Sequence, residues 1–243
     1  MNSKVSIVVP AFNEERLLPG SLASIQAASV AFGDAGWQTE LIVCDNNSTD
    51  RTAEIAAAAG ARVVFEPINQ IGRARNAGAA QATGDWLLFV DADSYPTREL
   101  FADVVTAIQG GRCLAGGSTV RIELKGLAYD LGLGWWNCVS RTLRWAAGSF
   151  IFCETAAFRE IGGFTETLYA AEEINLFRRL KRLARRKRKS IVILHDHPLL
   201  TSHRKAHLYS PREMLRFWLR TVITGGRTLR SSKESFPWYD GRR

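Results

Sequence analysis

The chain has 243 residues, 46% of them apolar, with four cysteines and a net charge of +8. This length can bury the core of one large α/β domain; the apolar share is ordinary for a globular protein, and no apolar run approaches the length that spans a membrane. The charge favours an anionic partner without choosing among nucleotide, nucleic acid and lipid surface.

Residues 5–9 predict a first strand, closed by the run from Pro10 to Glu15. A helix is expected over 17–32, with Pro19 tolerated only in its first turn. Residues 41–44 predict a second strand ending in the polar run 45–50, where Ser48 or Asp50 can cap an Ala-rich helix that stops before Gly60. A strand over 62–65 and a helix over 72–82 follow. Residues 86–90 are five apolar residues without interruption, which suits a strand buried on both faces of a parallel sheet. The β-α-β-α-β-α-β alternation of the first ninety residues predicts a parallel, right-handed, doubly wound sheet.

In such a sheet Asn13, Glu14, Asp45 and the pair Asp91 and Asp93 all follow strand ends, so they line one edge. If 91–93 continue extended, Asp91 and Asp93 point the same way. Two hard, anionic oxygen donors at that edge suit Mg²⁺ or Mn²⁺, completed by substrate phosphates. The bland alternative is a solvated Asp-rich turn.

Residues 97–109 form an amphipathic helix with Leu100, Val104 and Ile108 on one face. A strand over 116–121 follows. Residues 126–147, rich in Trp and Leu, suit a helical insertion over the cleft or on a membrane surface, or aromatics packed into the core. A strand over 148–153, a short helix over 155–161, a turn at Gly162 and Gly163, and a helix over 171–186 complete the pattern.

On that last helix Glu173 shares a face with Leu176, Phe177, Leu180 and Ala184, whereas Glu172 aligns with Asn175 and Arg179. Periodicity therefore turns Glu173 towards core or cleft and Glu172 more towards solvent. A carboxylate on an apolar stripe is costly unless something compensates it. Either it forms an ion pair with arginine, or it serves as a base whose pKa partial desolvation has raised. Residues 178–189 then carry nine cations in twelve positions, as a solvated helix end or as a docking site for an anionic membrane leaflet. Residues 211–230 suit an interfacial helix or one packed on the domain. The division expected is one domain over 1–210, with a nucleotide-binding half at about 1–95 and an acceptor half at about 96–210, then an amphipathic helix and basic tail over 211–243. Cys44 and Cys153 lie in strand-like runs, no cysteines form a Cys-x-x-Cys pair, and the amino terminus shows no signal-peptide pattern; these features favour a cytoplasmic location, with contact at the inner face of the membrane as an option.

The ordered set of Val5 to Glu15, Cys44 to Thr52, Gly72 to Asp85, Val90 to Asp93, and Ile161 to Phe164 followed by Glu172 and Glu173 resembles family 2 glycosyltransferases of the GT-A fold, over roughly residues 5–184. The resemblance implies an enzyme that moves a sugar from a nucleotide-diphosphate sugar to an acceptor hydroxyl, on a glycan, a lipid-linked or a small molecule, with inversion. It places Pro10, Phe12, Asn13 and Glu14 around the nucleoside and Asp45 beside the base. Asp91, Ala92 and Asp93 fall on the family's Asp-x-Asp motif, with Asp93 the direct ligand of Mg²⁺ or Mn²⁺. Glu173 falls where the family has its general base, commonly Asp; Asn46 is a second departure, since Asp is commoner there. Arg204 resembles a clamp on the diphosphate, and Arg73 and Arg75 either face the phosphates or lie on a helix surface. His197 and His203 are weaker metal-shell candidates. A nucleotidyltransferase of similar fold and a non-catalytic sugar-nucleotide binder are the rival readings. An NAD-dependent oxidoreductase lacks its Gly-x-Gly-x-x-Gly after the first strand, and a nucleic-acid partner would leave the acidic strand ends unexplained.

Overall fold

In the computed structural model, residues 3–122, 134, 137–202, 211–231 and 233–235 are described. The strand β1 (Lys4–Ala11) lies between β2 (Gln38–Asp45) and β4 (Trp86–Val90), parallel to both, and β3 (Arg62–Phe65) adds to β2 in parallel. This half of the sheet runs β3-β2-β1-β4, as the alternation predicts. Ala11 pairs with Asp45 and Asp45 with Phe65, so the carboxyl ends of the parallel strands lie level and their loops share one edge.

Leu87, Leu88, Phe89 and Val90 are completely buried. Leu88 and Val90 join one core, with α1 (Leu18–Asp34) and α4 (Arg98–Gln109). Leu87 and Phe89 join the other, with α3 (Ile71–Ala80), α5 (Thr155–Glu160) and α6 (Glu172–Lys187). β4 is thus the spine between two apolar layers. Pro19 sits in the first turn of α1. The short helix α2 (Thr52–Ala58) follows the second strand; Asp50, not Ser48, accepts from the Thr52 N–H at 2.9 Å, while Ser48 Oγ instead accepts from Asn13 N.

The second half adds β5 (Ser94–Tyr95), β6 (Cys113–Ile122), β7 (Phe150–Glu154) and β8 (Ser190–Thr201), completing an eight-stranded order β3-β2-β1-β4-β7-β6-β8-β5 among the described residues. β7 runs antiparallel to both neighbours, and β6 and β8 are parallel. β8 escapes an apolar-run reading because His195, Asp196 and His197 are exposed within it and its pairing with β6 slips between Ser118 and Val120.

One expectation is corrected here. Asp91 to Asp93 do not continue β4 as an extended chain; Ser94 N donates to Asp91 O at 3.1 Å, closing a turn that sends the two carboxylates to different partners. Within the predicted 126–147 insertion, 126–133 and 135–136 lie outside the described residues; 137–143 is helical and is held to β6 by the Asn137 side chain, which bonds both the N–H and the carbonyl of Val120. The helix α7 (Pro211–Ile223) is packed on one side. It buries Phe217 and Thr221 while Leu219 and Ile223 stay 54% and 83% exposed, and the turn after it is tied to the loop before α6 by the bond from Tyr169 N to Leu229 O.

β6 can lie against the 146–148 segment only because Gly117 lacks a side chain: a Cβ there would stand 2.2 Å from that of Ala146 and 2.7 Å from Phe150 O. Gly117→Ala is therefore expected to cost about 1–3 kcal/mol, the usual effect of overpacking, measured by urea unfolding. An unchanged midpoint would show that the 146–148 segment is not held where it is described.

Candidate active site

The loops after β1 and β2 are laced to each other. Asn13 takes a left-handed conformation, φ 52°, which an asparagine tolerates, and its Oδ1 accepts from Thr49 N at 2.8 Å. Its own N–H reaches Ser48 Oγ at 2.9 Å, and Glu14 N reaches Thr52 Oγ1 at 2.8 Å. Pro10 and Glu14 are buried, and Phe12 is half-buried. Asp45, 6% exposed, accepts from Ser48 N at 3.2 Å. The residues expected around a nucleoside thus lie on two interlocked loops at one sheet edge.

Asn46 explains its own departure from the commoner Asp. Its amide nitrogen donates to the carbonyls of Glu66 and Ile68, at 3.1 and 2.6 Å, and its Oδ1 accepts from Gln70 N at 2.9 Å. A carboxylate could only accept, so the amide fixes the loop that leads into α3.

Arg75 is the centre of the site. It is 1% exposed, which excludes the helix-surface alternative. Nη1 donates to Glu172 Oε1 at 2.8 Å, and Nη2 donates to Asp91 Oδ1 and to Gly148 O, both at 2.8 Å. The guanidinium lies 5.2 Å from the Phe164 ring centroid, and its buried Nε has no hydrogen-bond partner. Burial works against its charge, but Asp91 and Glu172 outweigh that and hold its pKa above the usual value. Arg73 is occupied elsewhere, by Glu66 at 3.2 Å and by Glu166.

The phase expected of the two acids on α6 is corrected for Glu172. It is not turned to solvent: it is 4% exposed and paired with Arg75. The helix starts from Ala171 in a left-handed conformation, φ 59°, and in its first turn the buried cation draws Glu172 inward. Glu173 is half-buried and packs near Gly148, its carboxyl carbon 3.8 Å from where a Cβ on that glycine would stand. Although part of Glu173 meets solvent, loss of hydration is the first cause of its raised pKa, followed by the charge of Glu172; together they push it up to about 8.

Asp93 is held instead by the residue that follows β8. Its Oδ2 accepts from Ser202 Oγ at 2.6 Å, and its carbonyl from Ser202 N at 3.0 Å. Sequence patterns alone do not single out Ser202, Gly148 or the Arg75–Glu172 pair. A signal for the last exists: Arg75 shares its helix face with Gly72, Gly78 and Ala79, all buried, a stripe of small residues that can only face inward. Arg204 and His203 lie outside the described residues. His197, almost half exposed, bonds Asp103 at 2.9 Å, away from the acidic turn.

The donor set fits a hard divalent ion. Asp91 and Asp93 offer carboxylate oxygens at the end of β4. That suits Mg²⁺ or Mn²⁺ held by one or two carboxylates and completed by the phosphates of a ligand.

The family model described as Glycosyl transferase family 2 matches residues 6–165. A pre-mycofactocin glycosyltransferase of Mycobacterium tuberculosis is 27% identical over 238 residues, covering 91% of this chain and 46% of that protein. A mannosyltransferase from Pyrobaculum calidifontis, solved with GDP-Man and Mn²⁺, has TM-score 0.67 at 16% identity, covering 99% of this chain and 68% of that one. Glucosyl-3-phosphoglycerate synthase from Mycobacterium tuberculosis, solved with Mn²⁺, uridine-diphosphate and glucosyl-3-phosphoglycerate, has TM-score 0.62 at 23% identity, covering 91% and 77%. These structures establish the fold, an α/β architecture of GT-A type around a mostly parallel, curled sheet. The chain spans less than half the length of the curated relatives it matches.

Arg75→Met leaves two carboxylates, Asp91 and Glu172, without their cation, which is expected to cost about 3–5 kcal/mol in urea unfolding. Glu172→Gln in that background should recover part of the loss, because it removes one of the stranded charges. Strictly additive costs would show that the two residues do not act as a pair.

Proposed function

The chain belongs to glycosyl transferase family 2, and from that membership we propose that it transfers a sugar from a nucleotide-diphosphate sugar to an acceptor hydroxyl with inversion at the anomeric carbon. The observation that carries this reading is the Asp91–Arg75–Glu172 chain. It ties the strand-end carboxylate expected beside the diphosphate to the helix turn that holds the expected base, so donor and acceptor chemistry share one buried joint. The laced loops at Asn13 and Asp45 would take the nucleoside. Asp91 and Asp93 would hold Mg²⁺ or Mn²⁺, which when bound offsets the charge of the diphosphate.

The chain's own chemistry is then a single displacement. The acceptor oxygen forms a bond to the anomeric carbon as the bond from that carbon to the diphosphate oxygen breaks, and the nucleoside diphosphate leaves with the electron pair. The acceptor's proton passes to a carboxylate oxygen of Glu173. One displacement at the anomeric carbon inverts it once. Contact with a membrane belongs to the same reading as peripheral attachment from one side, since no helix among the described residues is long and apolar enough to cross a bilayer.

Glu173→Gln keeps the size and removes the basicity. Single-turnover transfer is expected to fall roughly 10²–10⁴-fold, while donor affinity, measured by thermal shift with Mn²⁺, stays near wild type. A raised folded-state pKa for an acid means that stability is present below the unfolded value and lost as pH rises through about 8. Glu173→Gln escapes that loss, so its Tm should exceed wild type at pH 8 and approach it at pH 5. Near wild-type transfer by the variant would place the base elsewhere.

In the donor-free enzyme the same pKa sets the rising limb of kcat/KM against pH near 8, well above the ordinary carboxyl range. Asp93→Asn tests the metal separately: Mn²⁺-dependent donor affinity should drop with the fold intact by circular dichroism. Unchanged metal dependence would remove Asp93 from the ligand set.

A further inference from the structure

The cations of α6 and its end divide into two groups. Lys187 pairs with Glu160 at 2.6 Å and Lys189 with Glu154, while Arg179 donates to the carbonyls of Ile161 and Gly163 and to Asn175. These are structural. Arg178, Lys181, Arg182 and Arg185 are spaced by three, four and seven residues and so form one stripe. The three arginines are exposed and, among the described residues, have no carboxylate within ion-pair distance.

This stripe continues onto a second segment. Lys181 Nζ donates to Leu143 O, and Arg178 and Lys181 stand over the Trp145 ring, 5.8 and 5.3 Å from its centroid. Arg141 and Arg144 are also exposed, and Leu143 between them is 45% exposed. The cations crowd one another: after burial, the charges of Arg144, Arg185 and Arg178 push the Lys181 pKa below its usual value. Two segments far apart in sequence thus build one basic face that holds an exposed leucine.

We propose that this face docks the protein on an anionic phospholipid surface, with its arginines among the headgroups and Leu143 entering between them. Cations interleaved with an exposed apolar side chain match such a surface. A single-stranded nucleic acid would need an open aromatic face to stack on, and that of Trp145 is covered by Arg178 and Lys181. Docking also has a direction. The stripe starts about 9 Å along α6 from Glu172, at 1.5 Å per residue, and the 145–148 segment runs from Trp145 to the Gly148 carbonyl that Arg75 binds. A bilayer on this face is linked to the acid cluster through α6 and the 145–148 segment, which suits an acceptor hydroxyl carried on a lipid; that last step rests on the transferase reading, the docking does not.

The test is co-sedimentation of the full chain with vesicles of phosphatidylcholine alone and of phosphatidylcholine mixed with phosphatidylglycerol. Binding is expected on the mixed vesicles only and should fall steeply up to physiological salt, where charges are screened beyond about 8 Å. Each cation removed should weaken partition roughly fivefold, the factor equivalent to about 1 kcal/mol per cation. Arg182→Gln with Arg185→Gln, and Arg141→Gln with Arg144→Gln, should therefore each weaken it roughly 25-fold, and Leu143→Ser should weaken it further. Arg98→Gln, which alters a cation paired with Asp34 on α4, should change it little. Circular dichroism confirms that each variant is folded. Equal binding to neutral and anionic vesicles, or no loss in the variants, overturns the proposal. So does arginine-dependent binding to single-stranded RNA with none to mixed vesicles. The vesicle assay contains no sugar donor, so its failure leaves the transferase reading standing, and a failed transferase leaves the docking standing.

Discussion

One buried cation amid three carboxyl groups is the constraint on which the rest of the site depends. Arg75 is surrounded, and a charge so placed is tolerable only if its partners are fixed and well aligned. Its planar fork meets three acceptors from three elements, Asp91 after β4, Gly148 before β7 and Glu172 on α6. A lysine, with one nitrogen on a flexible stem, could not hold all three in place. The remaining acid, Glu173, is then left without a cation of its own. Loss of hydration and, after it, the charge of Glu172 carry it to about 8, while Arg75 pulls the other way.

The parallel register supplies the other fixed part. Because β1, β2 and β3 run together and Ala11, Asp45 and Phe65 lie abreast, their loops meet at one edge without long connections. Side-chain bonds among Asn13, Ser48, Thr49 and Thr52 then make those loops a single unit. The loops after β1 and β2 rest on hydrogen bonds between neighbours, whereas the Glu172 end of the site rests on a buried charge linking residues 97 apart in sequence.

That contrast explains what is legible in the sequence. Uninterrupted apolar runs such as Trp86–Val90 and the spacing of polar residues after strands depend on local pattern, and the structure agrees with them. Helical periodicity misplaces Glu172 because it considers one helix alone, while the group that pulls Glu172 inward comes from α3. The extended reading of 91–93 fails for a similar reason: the turn is held by Ser94 and by Ser202, and the latter arrives from the far end of β8. By sequence Asn46 looks like a weakened acidic pair; its amide is needed for two carbonyls that only the fold brings close. The small-residue face of α3 does carry a local signal for an inward Arg75, visible once Gly72, Gly78 and Ala79 are seen as one stripe.

Gly148 is where these threads join. Its carbonyl takes a bond from Arg75, and a side chain in its place would stand 3.3 Å from Nη2 and 3.8 Å from the Glu173 carboxyl carbon. The glycine matters here for space, since the guanidinium and the acid both lean on the same bare stretch of backbone. A glutamate is one methylene longer than the aspartate commoner in the family, and that extra length is accommodated against this backbone. The segment leading to Gly148 carries Trp145 and the basic face, so the same guanidinium that orients Asp91 also fixes how the basic face sits relative to the base. The strand-end Asp91, the first turn of α6 and the segment that carries the basic face are therefore joined through one guanidinium, and a change at Arg75 should be felt at all three.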